Sequence, residues 1–593
     1  MDQPTETSRE IFHFVMIKPT HYDDDGYPIL WWRSLIPSNS LAAINGLLLD
    51  AAERRVLGEN VEIRGITIDE PNTRIRPERL IRELRAAGGR AAIAFVGVQS
   101  NQFPRTMDLA GPFLAAGFPV VVGGFHVSGC KAMLKQQPAE IVAAQEMGIS
   151  LFAGEAEEGR LDEVLRDAYA GRLKPLYDHM DDLPSLEGAP PPFLPVDTLH
   201  GTRNEFSSFD LGRGCPFQCS FCTIINVQGR KSRFRSVDDL EKIIRANWAQ
   251  GIRKYFITDD DLARNKNWEA FFDRMIELRK ELQVRLEIFV QVDTGCHRIP
   301  GFIDKAVAAG VTRVFIGLEN INPDNLLHVG KRHNKITDYR AMLQEWWAHG
   351  IAIYAGYIIG FPGDTKEKVL RDVEIIKREL PINVLEFFYL TPLPGSADHK
   401  HHVEGGRWMD PDLNKLDLFH RMVHHPVMSD TEWEEAYHAA WRTFYTWDHI
   451  ETMGRRGAAS PKKKGMNIDE IIEFYSMYAV ERLHPLEGGI LRKKYRRDRR
   501  PGLPRANPLV FYPAYAIETV MKMAKFAWYY GRAHFIHKRI YADPKRKDYT
   551  DVALTPPTAE EFEELGLFRQ TSGADAAIRR KQLRDSLSAT KAG

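Results

Sequence analysis

Hydrophobic and polar positions fall into two rhythms along this chain. Between residues 12 and 171, short β-rich runs alternate with amphipathic stretches. The runs are Phe12–Ile17, Val61–Ile68, Ala91–Val98, Pro119–Val122 and Ser150–Phe152. Helical patterns lie between them at Ser40–Glu53, Pro77–Ala87, Met107–Ala116, Ser128–Gln136 and Glu157–Tyr169. Strand–helix alternation at this spacing predicts an α/β unit, a doubly wound, Rossmann-like parallel sheet covered on both faces. Ligands of such sheets sit at the carboxyl ends of the strands. There Gly123, Gly124, Phe125 and His126 follow the fourth run, and the glycines let a backbone approach a large ligand closely.

Residues 172–205 contain the proline-rich stretch DDLPSLEGAPPPFLP and are predicted to be a linker. A second α/β series fills 206–397, with strands at Ser207–Asp210, Lys254–Thr258, Arg285–Val292, Arg313–Leu318, Ile351–Ile359 and Asn383–Leu390. Helical patterns over Val237–Ala249, Asn267–Glu281, Ile303–Ala309, Asp338–Ala348 and Lys366–Glu379 separate them. Six βα units predict a full or partial (β/α) barrel, with its chemistry at the C-terminal strand ends. From 398 to 593 the strand signals stop. Asp430–Met453 and Met466–Leu483 are expected to be helical, and the last twenty residues are expected to fray.

Composition narrows the class. A chain of 593 residues is too long for one core, and 44% apolar with 27% charged residues is ordinary for a globular protein. Eighty basic against eighty acidic residues give no global pull towards nucleic acid. No run of 18 apolar residues predicts a membrane span, and MDQPTETSREIF lacks the basic start and apolar core of a secretory signal. Five cysteines cannot form a disulfide framework, so a reducing cytoplasm is expected.

Three of those cysteines fall within eight residues, Gly214–Cys222 reading GCPFQCSFC. Cys215, Cys219 and Cys222 lie on the loop after the first barrel strand, where three thiolates can converge on one iron–sulfur cubane and leave one iron open. Zinc is the competing reading, but it usually takes a fourth Cys or His at matched spacing, and no second Cys pair follows.

This segment resembles the signature of the radical S-adenosylmethionine (SAM) superfamily, with Phe221 as the aromatic before the last cysteine. The resemblance implies a [4Fe–4S] cluster that binds SAM and cleaves it to a 5′-deoxyadenosyl radical, with electrons from a donor such as flavodoxin or ferredoxin. It further implies that Asp259 and Asp260 face the SAM amino group, that Glu319 meets its ribose or methionine end, and that Gly356 and Gly360 border adenine. A doubly wound domain upstream, with Gly123, Gly124 and His126 after its fourth strand and Gly154–Glu155 after its fifth, is similar to the cobalamin-binding domain of B12-dependent members. His126 is then expected near the corrin or its nucleotide tail. The loop after the first strand, KPTHYDDDGYP, departs from the Asp-x-His-x-x-Gly pattern, so His21 is read as a polar loop residue. Methylation of an unactivated carbon is the first implied activity; oxidative cyclisation or rearrangement without methyl transfer is the second, and a non-catalytic cobalamin and cluster sensor the third.

Elsewhere the sequence is quieter. Cys130 and Cys296 are expected to be buried and inert. His399, His401, His402, His420, His424 and His425 match no tight metal spacing and are read as surface or pocket residues. The basic run Arg492–Arg505 is expected to be solvated surface, with a phosphate or lipid headgroup as the alternative. Residues 508–541 are expected to pack as core, with a membrane-surface face for a lipid-like substrate as the alternative.

Overall fold

The structure is a computed structural model that describes residues 9–88, 90–203, 205–462, 468–556 and 565–569. Its strands are β1 (Glu10–Lys18), β2 (Leu30–Ser34), β3 (Val61–Asp69), β4 (Arg90–Phe95), β5 (Val120–Gly123), β6 (Ser150–Ala153), β7 (Leu176–Asp178), β8 (Phe206–Phe209), β9 (Gly212–Arg213), β10 (Arg233–Phe234), β11 (Lys254–Ile257), β12 (Glu287–Val292), β13 (Val311–Glu319), β14 (Ala352–Ile359), β15 (Val384–Tyr389) and β16 (Gly489–Lys493).

The first sheet is parallel, in the order β3-β1-β4-β5-β6-β7. Successive side chains of a strand point to opposite faces, and β1 shows what that buries. Phe12, Phe14 and Met16 join one core with Leu41, Leu48, Leu161 and Leu165. Val15 and Ile17 join the other with Ile81, Leu109, Phe113 and Ile141. Emptying either side, for example by Phe14→Ala, should cost about 3–5 kcal/mol. Helix Asn39–Glu53 starts cleanly because Ser38 accepts from the Leu41 amide at 3.2 Å. Chain order reverses beside β1, so a crevice opens between the ends of β1 and β4.

The second sheet runs β15-β14-β13-β12-β11-β8, parallel and sequential, a six-stranded partial barrel. An open edge on β15 would invite pairing with another chain. Here the Tyr445 hydroxyl takes the Leu385 amide at 3.1 Å and donates to its carbonyl at 3.0 Å, and His484 Nε2 reaches the Phe387 carbonyl at 3.2 Å.

Several expectations are corrected. Leu176–Asp178 lies in the expected linker but forms β7, three residues too short to show alternation. Asp430–Met453 is two helices, Asp430–Phe444 and Trp447–Ala459, because Thr446 caps the second. Helix Ile468–Ser476 widens into a π turn over Met477–Glu481; Met466 and Asn467, and the terminal twenty residues, lie outside the described residues. A strand does occur late in the chain: β16 pairs antiparallel with β2, whose partner is over 450 residues away in sequence and invisible to local patterning. Pro508–Ala542 is one 35-residue helix that buries only Phe511, Ala533, Ile536 and Ile540, so most of it is not core. Much of the basic run is knitted inward: Arg492 binds Asp23 at 2.8 Å and Arg500 binds Asp412 at 2.9 Å.

Candidate active site

The cysteine loop is built on the end of β8. Leu211 donates its amide to Asp259 Oδ1 at 2.6 Å, and Asn265 holds the other oxygen at 3.1 Å. Asp259 is therefore a buried clamp on the loop's root rather than a group facing a ligand, which corrects the expected SAM contact. Gly214 follows with φ of +86°, and a Cβ there would meet the Gly229 carbonyl at 2.9 Å. Only glycine fits that close approach. The Cys215 amide then reaches the Gly229 carbonyl at 3.2 Å, and the Ser220 amide reaches Val329 at 3.0 Å.

Cys219 is buried and Cys215 and Cys222 half-buried, all three free. Burial pushes the Cys215 thiol up to about 12 and the Cys222 thiol up to about 11. Such thiols deprotonate when a metal takes the proton's place. Tetrahedral zinc, at about 2.3 Å from each sulfur, would hold three sulfurs roughly 4 Å apart. Among the described residues, two donor groups converge within 4.8 Å, His126 with Cys130 and Glu140 and His21 with Asp417 and Glu487; the cysteine trio is not one of them. That wider spread suits a cluster better than a single ion.

Around the loop the barrel mouth is charged. Glu319 ends β13 in the left-handed region, φ +63°, a strained conformation of the kind that gathers at functional sites. Lys331 pairs with its carboxylate and donates to the Gly317 carbonyl at 3.0 Å. Burial opposes the Lys331 charge, but Glu319 holds its pKa above the usual lysine value. The ammonium in turn favours the Cys219 thiolate. Sequence reading missed Lys331; its signal was the basic turn VGKRHNK after the Glu319 strand. Asp260 stays open to the mouth while the surrounding protein thins its water, raising it to about 7, and its charge acts on Cys215 and Cys222. Of the two candidate aspartates, it is the one that faces the cysteines.

Three apolar expectations also resolve. Phe221 packs against Val329, Ile358 and Phe361 beside Phe388. A Cβ at Gly356 would meet the Phe315 ring at 3.1 Å and the Phe388 ring at 3.3 Å, so the neighbouring rings leave room for glycine only. At Gly360, φ +118°, the Trp433 indole stands 2.2 Å from a would-be Cβ, and protein packing again demands the glycine. Glu386, on the Phe388 face of β15, was also missed; it is buried with Oε2 unpartnered, and burial raises it to about 8.

Two cavities join the sheets. One of about 490 Å³ is lined by Lys18 and His21 beyond β1, by Thr223 and Ile224 directly after Cys222, and by Pro394 and Glu487. The other, about 220 Å³, is a slot over the first sheet lined by Ala43, Gly97, Gly123, Gly124 and Gly154. Phe125 borders both. Close packing demands glycine at two of these positions: a Cβ at Gly97 would stand 2.4 Å from Ser40 Cβ, and one at Gly124 2.1 Å from the Val98 amide. His126 lines neither cavity. It is fully buried, its Nδ1 3.0 Å from Ser100 Oγ, one layer behind the wall that Ser100 and Phe125 give the large cavity. His21 does line the large cavity, its Nε2 3.0 Å from Glu487. Glu155 is committed to Arg213 at 2.7 Å and to Arg233, tying the first domain to the β9–β10 ribbon that flanks the cysteines. Cys296 is buried, as expected.

Residues 210–376 match the family model of the Radical SAM superfamily. That span of the chain is a radical SAM domain, and the chain is an enzyme. Its doubly wound sheet ahead of the barrel is an architecture shared with TsrM from Kitasatospora setae, a radical SAM methyltransferase solved with cobalamin and a [4Fe–4S] cluster; the match has TM-score 0.56 at 15% identity and covers 77% of this chain and 97% of that one. Among curated proteins, the bacteriochlorophyllide d C-8(2)-methyltransferase of Chlorobaculum tepidum is 25% identical over 377 residues, 60% of this chain and 78% of that one. The hopanoid C-2 methylase of Rhodopseudomonas palustris is 26% identical over 196 residues, 31% of this chain and 36% of that one.

Proposed function

We propose that this chain is a cobalamin-dependent radical SAM methyltransferase acting on an unactivated carbon of a bulky hydrophobic molecule. One observation carries the reading: a broad cavity and a glycine-walled slot meet at Phe125, and the broad cavity opens on the residues next to Cys222. A corrin ring with a nucleotide tail has that two-part shape. When bound, the cluster supplies one-electron chemistry to SAM and the corrinoid supplies a methyl carrier. Cys215, Cys219 and Cys222 would hold the cluster, and Gly97, Gly123, Gly124 and Gly154 would border the tail. Lys331, Glu319 and Asp260 offer both signs of charge to the zwitterionic end of SAM. Leu393, Pro394, Leu416 and Leu418 give the cavity an apolar wall that excludes water from the reacting centre. An external protein such as flavodoxin or ferredoxin would deliver the electron.

The substrate class follows from the C-terminal helix. Leu509, Val520 and Phe535 are 84%, 66% and 65% exposed on Pro508–Ala542, and Ile517, Met521 and Trp528 are also exposed. A third cavity, about 630 Å³, runs from Ile517 and Met521 to His21 and Asp417, which also line the 490 Å³ cavity. Among the described residues no helix is long and apolar enough to cross a membrane. An apolar helix edged by Lys525, Arg532 and Lys538 suits the surface of an anionic bilayer, from which a lipid-like substrate could enter. The named substrates of the two methylating relatives, a bacteriochlorophyllide and a hopanoid, fit this class.

The test is anaerobic purification with hydroxocobalamin supplied, then incubation with methyl-labelled SAM, reductant and a lipid extract. Label in an organic-soluble product is expected. Corrinoid-loaded protein that cleaves SAM without moving label would refute methyl transfer. Co-sedimentation with anionic but not zwitterionic vesicles checks the helix; no binding to either would reject the membrane face.

A further inference from the structure

A second group of metal-binding atoms lies directly behind the cavity walls that Ser100, Phe125 and Ser128 form, and none of its own residues lines either cavity. In FHVSGC the chain enters helix Phe125–Met133 through Gly124, and the His126 amide is anchored on the Val98 carbonyl at 3.1 Å. His126 and Cys130 are four residues apart, one above the other on the same helical face. Glu140 sits in the first turn of the next helix, Ala139–Glu146, and its Oε1 is 3.7 Å from His126 Nε2. One ligand atom from each of the three lies within 4.8 Å of the others.

The imidazole is held as a metal ligand would be. Ser100 Oγ is 3.0 Å from Nδ1, which orients the ring and leaves Nε2 turned towards the thiol and the carboxylate. His126 is fully buried, and its Nε2 has no hydrogen-bond partner. A buried polar atom left unmatched costs about 1–3 kcal/mol, and nothing in the barrel chemistry uses this one. A further donor is at hand. His399, buried in helix Ala397–Glu404, has an unpartnered Nδ1, and its charge acts on His126. Helix Phe125–Met133 meets the loop that leads into helix Ala397–Glu404 across the two domains: a Cβ on Gly129 would stand 2.3 Å from the Pro394 carbonyl.

We propose that His126, Cys130 and Glu140 bind a zinc(II) ion, with His399 as a candidate fourth donor from the barrel side, and that the ion pins the first domain to the end of the barrel. Nitrogen, sulfur and oxygen donors together suit zinc, with bonds of about 2.0–2.3 Å. Drawing the three atoms onto one ion needs a shift of roughly 1 Å. Binding converts the Cys130 thiol to a thiolate and releases its proton to solvent, with no change of oxidation state. Ser100 is the positioning group behind His126, in the manner of outer-sphere partners that fix a ligand's tautomer. The other close group, His21 with Asp417 and Glu487, lines the large cavity and belongs to that site.

The experiment uses full-length protein with its iron–sulfur cluster reconstituted, followed by elemental analysis for zinc and iron. Wild type should hold stoichiometric zinc besides its iron. Cys130→Ser and His126→Gln should lose the zinc and keep wild-type iron. Replacement by cobalt(II) should give a sulfur-to-cobalt charge-transfer band that Cys130→Ser lacks. Glu140→Gln, at a half-exposed position tolerant of change, should weaken zinc binding about tenfold or more, and it decides the matter should the buried variants misfold. Wild type that takes up neither zinc nor cobalt after chelation and titration would overturn the proposal. So would zinc retained in the Cys130→Ser, His126→Gln double variant, or unchanged affinity in Glu140→Gln.

Discussion

The two parallel sheets of this enzyme turn their carboxyl ends towards one another, yet those ends are chemically opposite. Over the first sheet, β4, β5 and β6 run into Gly97, Gly123 and Gly154 beside apolar side chains, and the charges that also line the slot, Glu155, Glu157 and Arg213, are paired with one another. Over the barrel the strand ends carry Asp259, Asp260, Asp261, Asp293 and Glu319, answered by Arg264 and Lys331. A glycine-rich, side-chain-poor floor suits a large rigid ligand by shape. A mouth with fixed charges of both signs accepts a small zwitterion by electrostatics. The same architecture therefore builds two different receptors, and the difference lies in the last two or three residues of each strand.

The contrast breaks most completely at the cysteines. Cys219→Ala should take iron from about four atoms per chain to near none and abolish SAM cleavage; retention of the full iron complement would misplace the ligands. Ala43→Trp should fill the 220 Å³ slot and eliminate bound corrinoid while leaving iron untouched. Corrinoid bound as in wild type, read by its absorption spectrum, would mean that the slot is not the tail site.

Charge at the mouth is sharpened by Lys331→Ala, which strands the Glu319 carboxylate. Breaking a buried pair from one side costs about 3–5 kcal/mol. Urea unfolding should show most of that loss recovered in the Lys331→Ala, Glu319→Gln double variant, and a double variant as unstable as the single would deny the coupling.

The smallest effect concerns the barrel's edge. His484 is buried and neutral; its Nδ1 accepts from the Leu486 amide at 3.3 Å while Nε2 serves Phe387. Burial lowers its pKa from 6.5 to about 4. The unfolded chain binds this proton first as pH falls, so the stabilising term is full above 6.5 and is lost between 6.5 and about 4. The slope is about 1.4 kcal/mol per pH unit. His484→Gln should flatten that part of the stability–pH curve, and an unchanged slope would remove His484 from the edge cap.

Much of this was legible because both sheets are made of local strand–helix units whose apolar runs declare themselves. The barrel strands fall within a residue or two of their expected positions, and the cysteine spacing alone located the candidate site. What stayed hidden depends on long-range packing. β7 is too short to show a period, and β2 finds its partner only through β16. The exposed helix 508–542 looks like core because hydrophobicity reports that a surface wants covering, not what covers it. Asp259 carried the right residue type for contact with SAM, but in three dimensions the Leu211 amide and Asn265 have already claimed its carboxylate.

The central claim is an iron–sulfur cluster on Cys215, Cys219 and Cys222 with one iron left for SAM. Electron paramagnetic resonance of the reduced, anaerobically reconstituted protein, with and without SAM, addresses it directly. A cluster signal that shifts on adding SAM and vanishes in Cys219→Ala is the predicted result. A signal indifferent to SAM, or iron-free protein holding zinc at these cysteines, would contradict the account.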